Sequence, residues 1–340
     1  MTVRLGEGAG RGGSAVHVDR VLAAVADPQA AARSALAASW ARSVRLYGLD
    51  PADAGRPQTV TASQLAQARA RMAPFLFHAG PVLDRLFQSV GAGGCCVLLS
   101  DRDGVPLERR GDPGDDDDFR RMGLWTGALW SEAAGGTNGI GTCLAEGRAL
   151  TIHKDQHFHA RNIALSCTVA PIHDHEGRLA AALDVSSCRS DLSEAMVGLI
   201  AAAAGEAARR IEARVFQEAY AGARLVLVPE EPGTGMPPAG GAAALLAVDS
   251  DDLVIGATRA ARQLLRLGSG ALNGTVTAAS LLQPGQGGAP ARPALEEAER
   301  SALHRTLRQA GGNVSRAARL LGISRATLHR KMARFGLDRT

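Results

Sequence analysis

Residues 311–337 read GGNVSRAARLLGISRATLHRKMARFGL, two short helices around a tight turn. Val314, Ala317, Ala318 and Leu321 recur at helical spacing. Gly322 stops that helix in the way a left-handed C-terminal glycine does. Ser324 caps the next, whose apolar face is Leu328, Met332 and Phe335. Arg325, Thr327, Arg330, Lys331 and Arg334 point away from that face. A helix that is apolar behind and basic in front is what a major-groove reader needs. The segment 296–310 before it is also amphipathic and offers Ala302, Leu303, Thr306 and Leu307 for packing.

Charge distribution agrees with this reading. From Arg300 to Thr340 there are 10 Lys/Arg and 1 acid, a net of +9. The whole chain carries only +4, so residues 1–299 hold 4 − 9 = −5. The basic charge is confined to one end, as a nucleic-acid footprint would be. The run GNVSRAARLLGISRATLHRKM resembles the C-terminal helix-turn-helix of the factor-for-inversion-stimulation (Fis) family nearly position by position. The resemblance implies that Arg325, Thr327, Arg330 and Lys331 contact groove and phosphates. Ser324, His329 and Arg334 stand beside them, with Arg316 on the preceding helix. Arginine can fork onto guanine, whereas Lys331 acts as a point charge on phosphate.

At 340 residues and 46% hydrophobic, the chain has room for two or three ordinary domains. No signal-peptide pattern opens it, and its apolar runs fall short of a membrane span, so a cytoplasmic protein is expected. Five cysteines at irregular spacing give neither a disulfide framework nor a zinc signature. The two lysines, Lys154 and Lys331, follow His153 and Arg330. A phosphate-cradling P-loop needs Gly-Lys-Ser/Thr, so this sequence contains none.

Working backwards from the basic end, QPGQGGAPARP (283–293) and PEEPGTGMPPAGG (229–241) read as linkers. Between them, ALLAVDSDDLVIGATRAARQLLRL (244–267) reads as two strands around an Asp-rich turn, then a helix. Upstream lies a strand–helix mixture. CCVLLSD (95–101) and VPLERRGD form a hairpin, and the aspartates 115–118 start a helix. ALTIH (149–153), ALSCTVAPIHD (164–174) and RLAAALDVSS (178–187) are further strands. Together they suggest a six-stranded antiparallel sheet. Asp191 and Glu194 resemble a capping box at the head of a long helix ending near Tyr220. Its stripe of Met196, Leu199, Ala203, Ala207, Ile211 and Val215 suits either a dimer seam or a cover for the sheet. Before Gly94 the pattern is helical: a short stripe at Val18–Val25, then Ser34–Tyr47, about Ser63–Met72, and Pro81–Val90.

SWARS (39–43), LWSEAAGGTNGIGTCL (129–144) and QHFHARNIALSCTVAPIHDHEGRLAAALDVSS (156–187) resemble the N-terminal half of bacterial acetoin- and glycerol-catabolism activators. The sensor of that family is a GAF domain. LLAVDSDDLVIGATRAARQLL resembles its PAS-like segment, too short here for a whole domain. The resemblance implies an α+β fold: N-terminal helices, a GAF-like antiparallel-sheet sensor, a PAS-like remnant and an all-α Fis-type helix-turn-helix. The expected divisions are a disordered N-terminus at 1–14, helices at 15–75 and the sensor at 76–215. A helix end and linker follow at 216–241, then the remnant at 242–282, a linker at 283–294 and the DNA module at 295–340. The family's central AAA+ ATPase, which remodels sigma-54 polymerase, has no counterpart between sensor and DNA module.

Within the sensor, Trp130, Glu132, Thr137 and Asn138 lie in a glycine-rich turn whose polar groups suit a small ligand. They equally suit a turn that satisfies its own backbone. GGTNGIG lacks dinucleotide-fingerprint spacing, and no cofactor is expected. His157 and Cys167 fall in family-like motifs and are candidates for pocket or structural roles. Gln156 stands where the family more usually has glutamate. The histidines and cysteine between 153 and 175 are too irregularly spaced to define a metal site. Cys95 and Cys96 are strand neighbours facing opposite ways, which argues against a bond between them.

The leading expectation is a transcriptional regulator, not an enzyme. It would sense a small molecule, or a redox or metal change, and bind promoter DNA as a dimer. Expected partners are double-stranded DNA, the effector, a second copy and RNA polymerase, with no membrane. An architectural DNA-bending protein is the alternative, and a GAF-type redox enzyme a third.

Overall fold

The computed structural model describes residues 10–189, 191–228, 244–268, 272, 274, 276–282 and 294–337. The linkers expected at 229–241 and 283–293 lie outside these residues. The chain divides into two compact units, the second taking over the main chain at Phe216.

The first unit is built on five antiparallel strands: β1 (Cys95–Asp101), β2 (Pro106–Arg110), β3 (Leu150–His153), β4 (Ser166–His173) and β5 (Leu179–Ser187). Their spatial order is β2-β1-β5-β4-β3, so the sheet has five strands rather than the expected six. Both faces are covered, which is why β1 reads as an unbroken apolar run. Cys95, Val97 and Leu99 face one core, with Ala181, Leu183 and Val185 from β5. Cys96 and Leu98 face the other, with Ala182, Cys167 and Val169. Cys95 and Cys96 therefore do point apart, and both are free thiols.

Two long helices cover the first face. One runs from Ala73 to Val90 and carries Pro81 inside it, where the sequence had suggested a helix start. Its buried side, Phe75, Ala79, Val82, Leu83 and Leu86, continues across Pro81, whose ring is exposed. Tertiary packing outweighs the cost of the proline. The other, Glu194–Ala219, buries Ile200, Ala204, Ala207, Ala208 and Ile211. The C-terminal half of the expected stripe thus covers the sheet, while Met196 and Leu199 stay exposed. Ser193, not Asp191, bonds the first turn: its Oγ accepts from Met196 N at 3.3 Å, and Asp191 pairs with Arg189. Ser193 immediately precedes the helix, and Asp191 is two residues too early to reach that turn.

The helix Gly10–Ala26 begins inside the N-terminus expected to be disordered. Val21 and Val25 anchor it against Trp40 of the Ala35–Arg45 helix and against Phe158, and the residues before them extend the same hydrogen-bonded ladder. A further helix, Ala62–Arg71, starts at a Thr61/Gln64 capping box.

The second unit holds a three-stranded antiparallel sheet ordered β6-β7-β8: β6 (Arg224–Leu227), β7 (Leu245–Val248) and β8 (Val254–Ala257). The last two are the strands read around the Asp-rich turn. β6 falls where a helix end and linker were expected, because its apolar run RLVL pairs along β7. Three helices end the chain, Ala294–Gln309, Val314–Leu320 and Arg325–Phe335. They enclose a core of Leu303, Leu307, Val314, Ala317, Ala318, Leu328, Met332 and Phe335. No helix among the described residues is long and apolar enough to cross a membrane.

Candidate nucleic-acid interface and sensor interior

The three C-terminal helices are fixed by their ends. Asn313 Oδ1 accepts from Arg316 N at 3.0 Å and Ser324 Oγ accepts from Thr327 N at 3.1 Å, so both short helices start on side-chain caps. Gly322 sits between them at φ +66°, a conformation that glycine adopts without strain. Leu328, Met332 and Phe335 are buried, which forces the opposite face of the last helix outward. Arg325, His329, Arg330 and Arg334 are exposed there, with Ser324 at the helix start and Arg316 on the neighbouring helix. Thr327 is half-buried, and its hydroxyl meets Ser324 Oγ at 2.8 Å. Lys331 is half-buried and bonds Glu299 of the first helix, a partner the sequence reading did not provide. The Arg334 guanidinium lies 5.4 Å from the Phe335 ring centroid. Arg319, not singled out by sequence, is exposed on the middle helix. The result is an arginine-rich surface on a packed three-helix core.

In the first unit, the residues read as a ligand turn make internal hydrogen bonds. Glu132 is 3% exposed and accepts from Arg42 at both oxygens: Nη2 to Oε1 and Nε to Oε2, each 2.8 Å. Ser39 Oγ reaches Glu132 Oε1 at 2.5 Å and Thr137 Oγ1 at 2.7 Å. A carboxylate only accepts, so Ser39 donates its one proton to Glu132 and Thr137 donates to Ser39. Asn138 caps the Gly139–Glu146 helix, with Oδ1 accepting from Gly141 N and Nδ2 donating to Gly136 O, both at 2.8 Å. Trp130 Nε1 donates to Gly123 O at 2.8 Å. Ser39 and Arg42 come from SWARS and the rest from WSEAAGGTNG, so the two motifs meet as one clamp. Their separation in sequence hid this.

Gly139 explains another part of the motif. A Cβ there would sit 2.6 Å from Cys167 Cβ and 2.7 Å from Val169 Cγ2, so only glycine lets this helix lie so close to the sheet.

His157 and Cys167 do come together. His157 Nδ1 lies 2.9 Å from Lys154 O and Nε2 lies 3.4 Å from Cys167 Sγ. The carbonyl only accepts, so Nδ1 carries the proton and the thiol donates to Nε2. Burial pushes the imidazole down to about 4 and Cys167 well up, so the pair is neutral. Burial also pushes Cys96 well up, Cys143 to about 12 and Cys188 to about 11. None of these four is a thiolate near neutral pH, and the thiolate is the nucleophile. Among the described residues no group of three His, Cys, Asp or Glu side chains could hold a metal ion.

Several buried polar residues escaped the sequence reading, among them one on β5. Asp184 of β5 is 1% exposed, and burial pushes its carboxyl up to about 7. Oδ2 accepts from Ser186 Oγ at 2.6 Å, while Oδ1 has no partner. An aspartate inside the apolar run RLAAALDVSS was the signal for it.

Residues 79–211 match the GAF domain family, and residues 294–335 match the bacterial regulatory protein, Fis family. The chain is 39% identical over 161 residues to the acetoin catabolism regulatory protein of Cupriavidus necator, covering 47% of this chain and 24% of that protein. It is 31% identical over 186 residues to the acetoin dehydrogenase operon transcriptional activator AcoR of Bacillus subtilis, covering 55% of this chain and 31% of that protein. The chain thus spans about a quarter to a third of the length of these relatives. A chain of the E. coli DhaR(N)–DhaL complex shares its fold with a TM-score of 0.50 at 17% identity, covering 72% of this chain and 80% of that one.

Proposed function

We propose that this chain, which joins a GAF domain to a Fis-type helix-turn-helix, is a DNA-binding transcriptional regulator that senses a small molecule. The exposed arginine face of the last helix carries the reading. Arg325 and Arg330 read base edges in the major groove, and Ser324, Thr327 and His329 lie against the same groove wall. Arg316 and Arg334 hold phosphates. Lys331 reaches phosphate as a point charge from beside Glu299, whose ion pair with it fixes the last helix to the first.

The protein acts as a dimer, placing two recognition helices about 34 Å apart on one side of the duplex. Met196 and Leu199 on the exposed side of the Glu194–Ala219 helix offer apolar surface for the second copy. The two acetoin regulators support a catabolic operon as the target, such as one for acetoin, alcohol or glycerol use, with RNA polymerase as a further contact. We assign the chain no enzymatic step; its buried neutral thiols speak against a redox enzyme.

Selection of bound fragments from a random DNA library tests this reading. A recovered palindromic motif supports it. Recovery of bent or AT-rich DNA without a motif supports the architectural alternative.

A further inference from the structure

Glu299 and Lys331 meet across the C-terminal module. Glu299 lies on the Ala294–Gln309 helix and Lys331 on the Arg325–Phe335 helix, and Lys331 Nζ donates to Glu299 Oε1. Lys331 comes three residues after Leu328 and four before Phe335, both buried, so its stem leaves the helix at the edge of the inner face. Arg330 and Arg334, on the outer face, are exposed. The pair itself is half-buried, with side chains 30% and 29% exposed. Acids are scarce in this module. Between Ala294 and Leu337 they are Glu296, Glu297 and Glu299, all near the start of the first helix. Negative charge there suits the helix dipole in any case. The dipole does not require Glu299 to reach the last helix, which it does.

We propose that Glu299 is an internal counter-ion of Lys331 that a DNA phosphate must displace, and that it thereby holds down the affinity of the module for DNA of any sequence. The proposal rests on the reading of the last helix as the one that enters DNA. Its chemistry is competition between two anions. Carboxylate and phosphate both offer charged oxygen acceptors, and an ammonium is a compact point charge that serves either. In the free protein Lys331 is engaged by Glu299. At the duplex it turns to a phosphate, and the Glu299 carboxylate is left close to the DNA backbone. The lost ion pair and the new repulsion both oppose binding. Phosphate contacts carry no sequence information, so the opposition falls on the sequence-independent part of the affinity. Arg325 and Arg330 are exposed and outside this pair, so base preference is unaffected. Weaker non-specific binding leaves less of the protein on competing sites along a genome. Glu299 is thus a positioning residue that acts through Lys331.

The test is fluorescence anisotropy of a labelled random-sequence duplex titrated with the full chain over a range of salt concentrations. Glu299→Gln keeps the shape of the side chain and removes its charge. It is expected to tighten binding by about 3-fold or more and to steepen the salt slope by up to about 1. In a Lys331→Ala background the same change is expected to alter affinity by less than about 2-fold, because Glu299 acts through Lys331. A role in the helix dipole alone would give the same effect in both backgrounds. Unchanged or weaker binding by Glu299→Gln, or an equal gain with and without Lys331, overturns the proposal. A second measurement needs no Glu299 variant. The chain has two lysines, Lys154 and Lys331, so lysine-labelled protein gives two side-chain NMR signals, and the one missing from Lys331→Ala belongs to Lys331. That signal is expected to move when the random duplex is bound; a Lys331 signal that bound DNA leaves in place overturns the proposal. Wild-type binding with no effect of Glu299→Gln removes this proposal alone. Wild-type protein that binds no duplex removes the DNA-binding reading and the proposal with it.

Discussion

Arg42 grips Glu132 with two parallel contacts of 2.8 Å, although 90 residues separate them. The two partners are unequal. The Glu132 side chain is 2% exposed and that of Arg42 33% exposed, so only Arg42 can turn to water if the pair is broken. Ser39 and Thr137 extend the clamp, tying the Ala35–Arg45 helix to the turn before the Gly139–Glu146 helix. A family-like motif that resembled a binding loop is, in the structure, the joint between the N-terminal helices and the sheet.

That asymmetry gives an ordering. Arg42→Ala leaves a buried carboxylate without its cation and is expected to cost about 3–5 kcal/mol. Glu132→Gln keeps an acceptor for Ser39 and frees Arg42 toward solvent and Glu146, at an expected cost of about 1–3 kcal/mol. Urea denaturation of the two variants checks the order; equal losses would show that the clamp is not limited by the buried charge.

Asp184 makes stability depend on pH in a stated direction. Unfolded, its carboxyl ionises near 3.9. Folded, burial holds the proton up to about 7. Between these values the folded state binds more protons, so the Asp184 contribution to stability falls as pH rises and is constant above about 7. Relative to Asp184→Asn, the wild type is expected to lose roughly 1.4 kcal/mol per pH unit across this window. Denaturation curves of both proteins at pH 4.5 and 7.5 measure it, and a difference independent of pH would contradict it.

Gly322 joins the two short C-terminal helices at φ +66° with open space around it. Gly322→Ala therefore meets no clash and costs only the backbone strain, about 1–2 kcal/mol. Differential scanning calorimetry should show this loss in the transition of the second unit. A larger loss would mean that the turn carries contacts beyond its conformation.

The basic face separates base contacts from phosphate contacts. Arg325→Ala should weaken specific binding by about 1–3 kcal/mol and relax preference at one base position. Arg316→Ala should weaken all sequences alike and lower the salt slope by about 1. Fluorescence anisotropy over a range of salt concentrations distinguishes them, and identical behaviour of the two variants would sink the division of roles.

The C-terminal module was the most legible part of the chain because its signals are local. Ser324 as cap, Gly322 as stop and Leu328, Met332 and Phe335 as the inner face all act within a few residues of one another. The strands of the first unit were legible as short apolar runs bounded by turns, and Cys95 and Cys96 face opposite cores as their adjacency requires. What sequence concealed depends on distant partners. Glu132 reads as a ligand group until Arg42 is brought to it. Pro81 reads as a helix start until the buried stripe from Phe75 to Leu86 is seen to run through it. That Lys331 also pairs with Glu299 of the first helix could not be read from sequence. Strand β6 and the five-stranded count depended on pairings that no local pattern announces.

Genome-wide occupancy of the tagged protein, compared with an Arg325→Ala/Arg330→Ala variant, bears on sequence-specific regulation itself. A few sharp sites upstream of a metabolic operon, lost in the variant, are expected. Broad and shallow occupancy, or sharp sites that the variant still occupies, would contradict it.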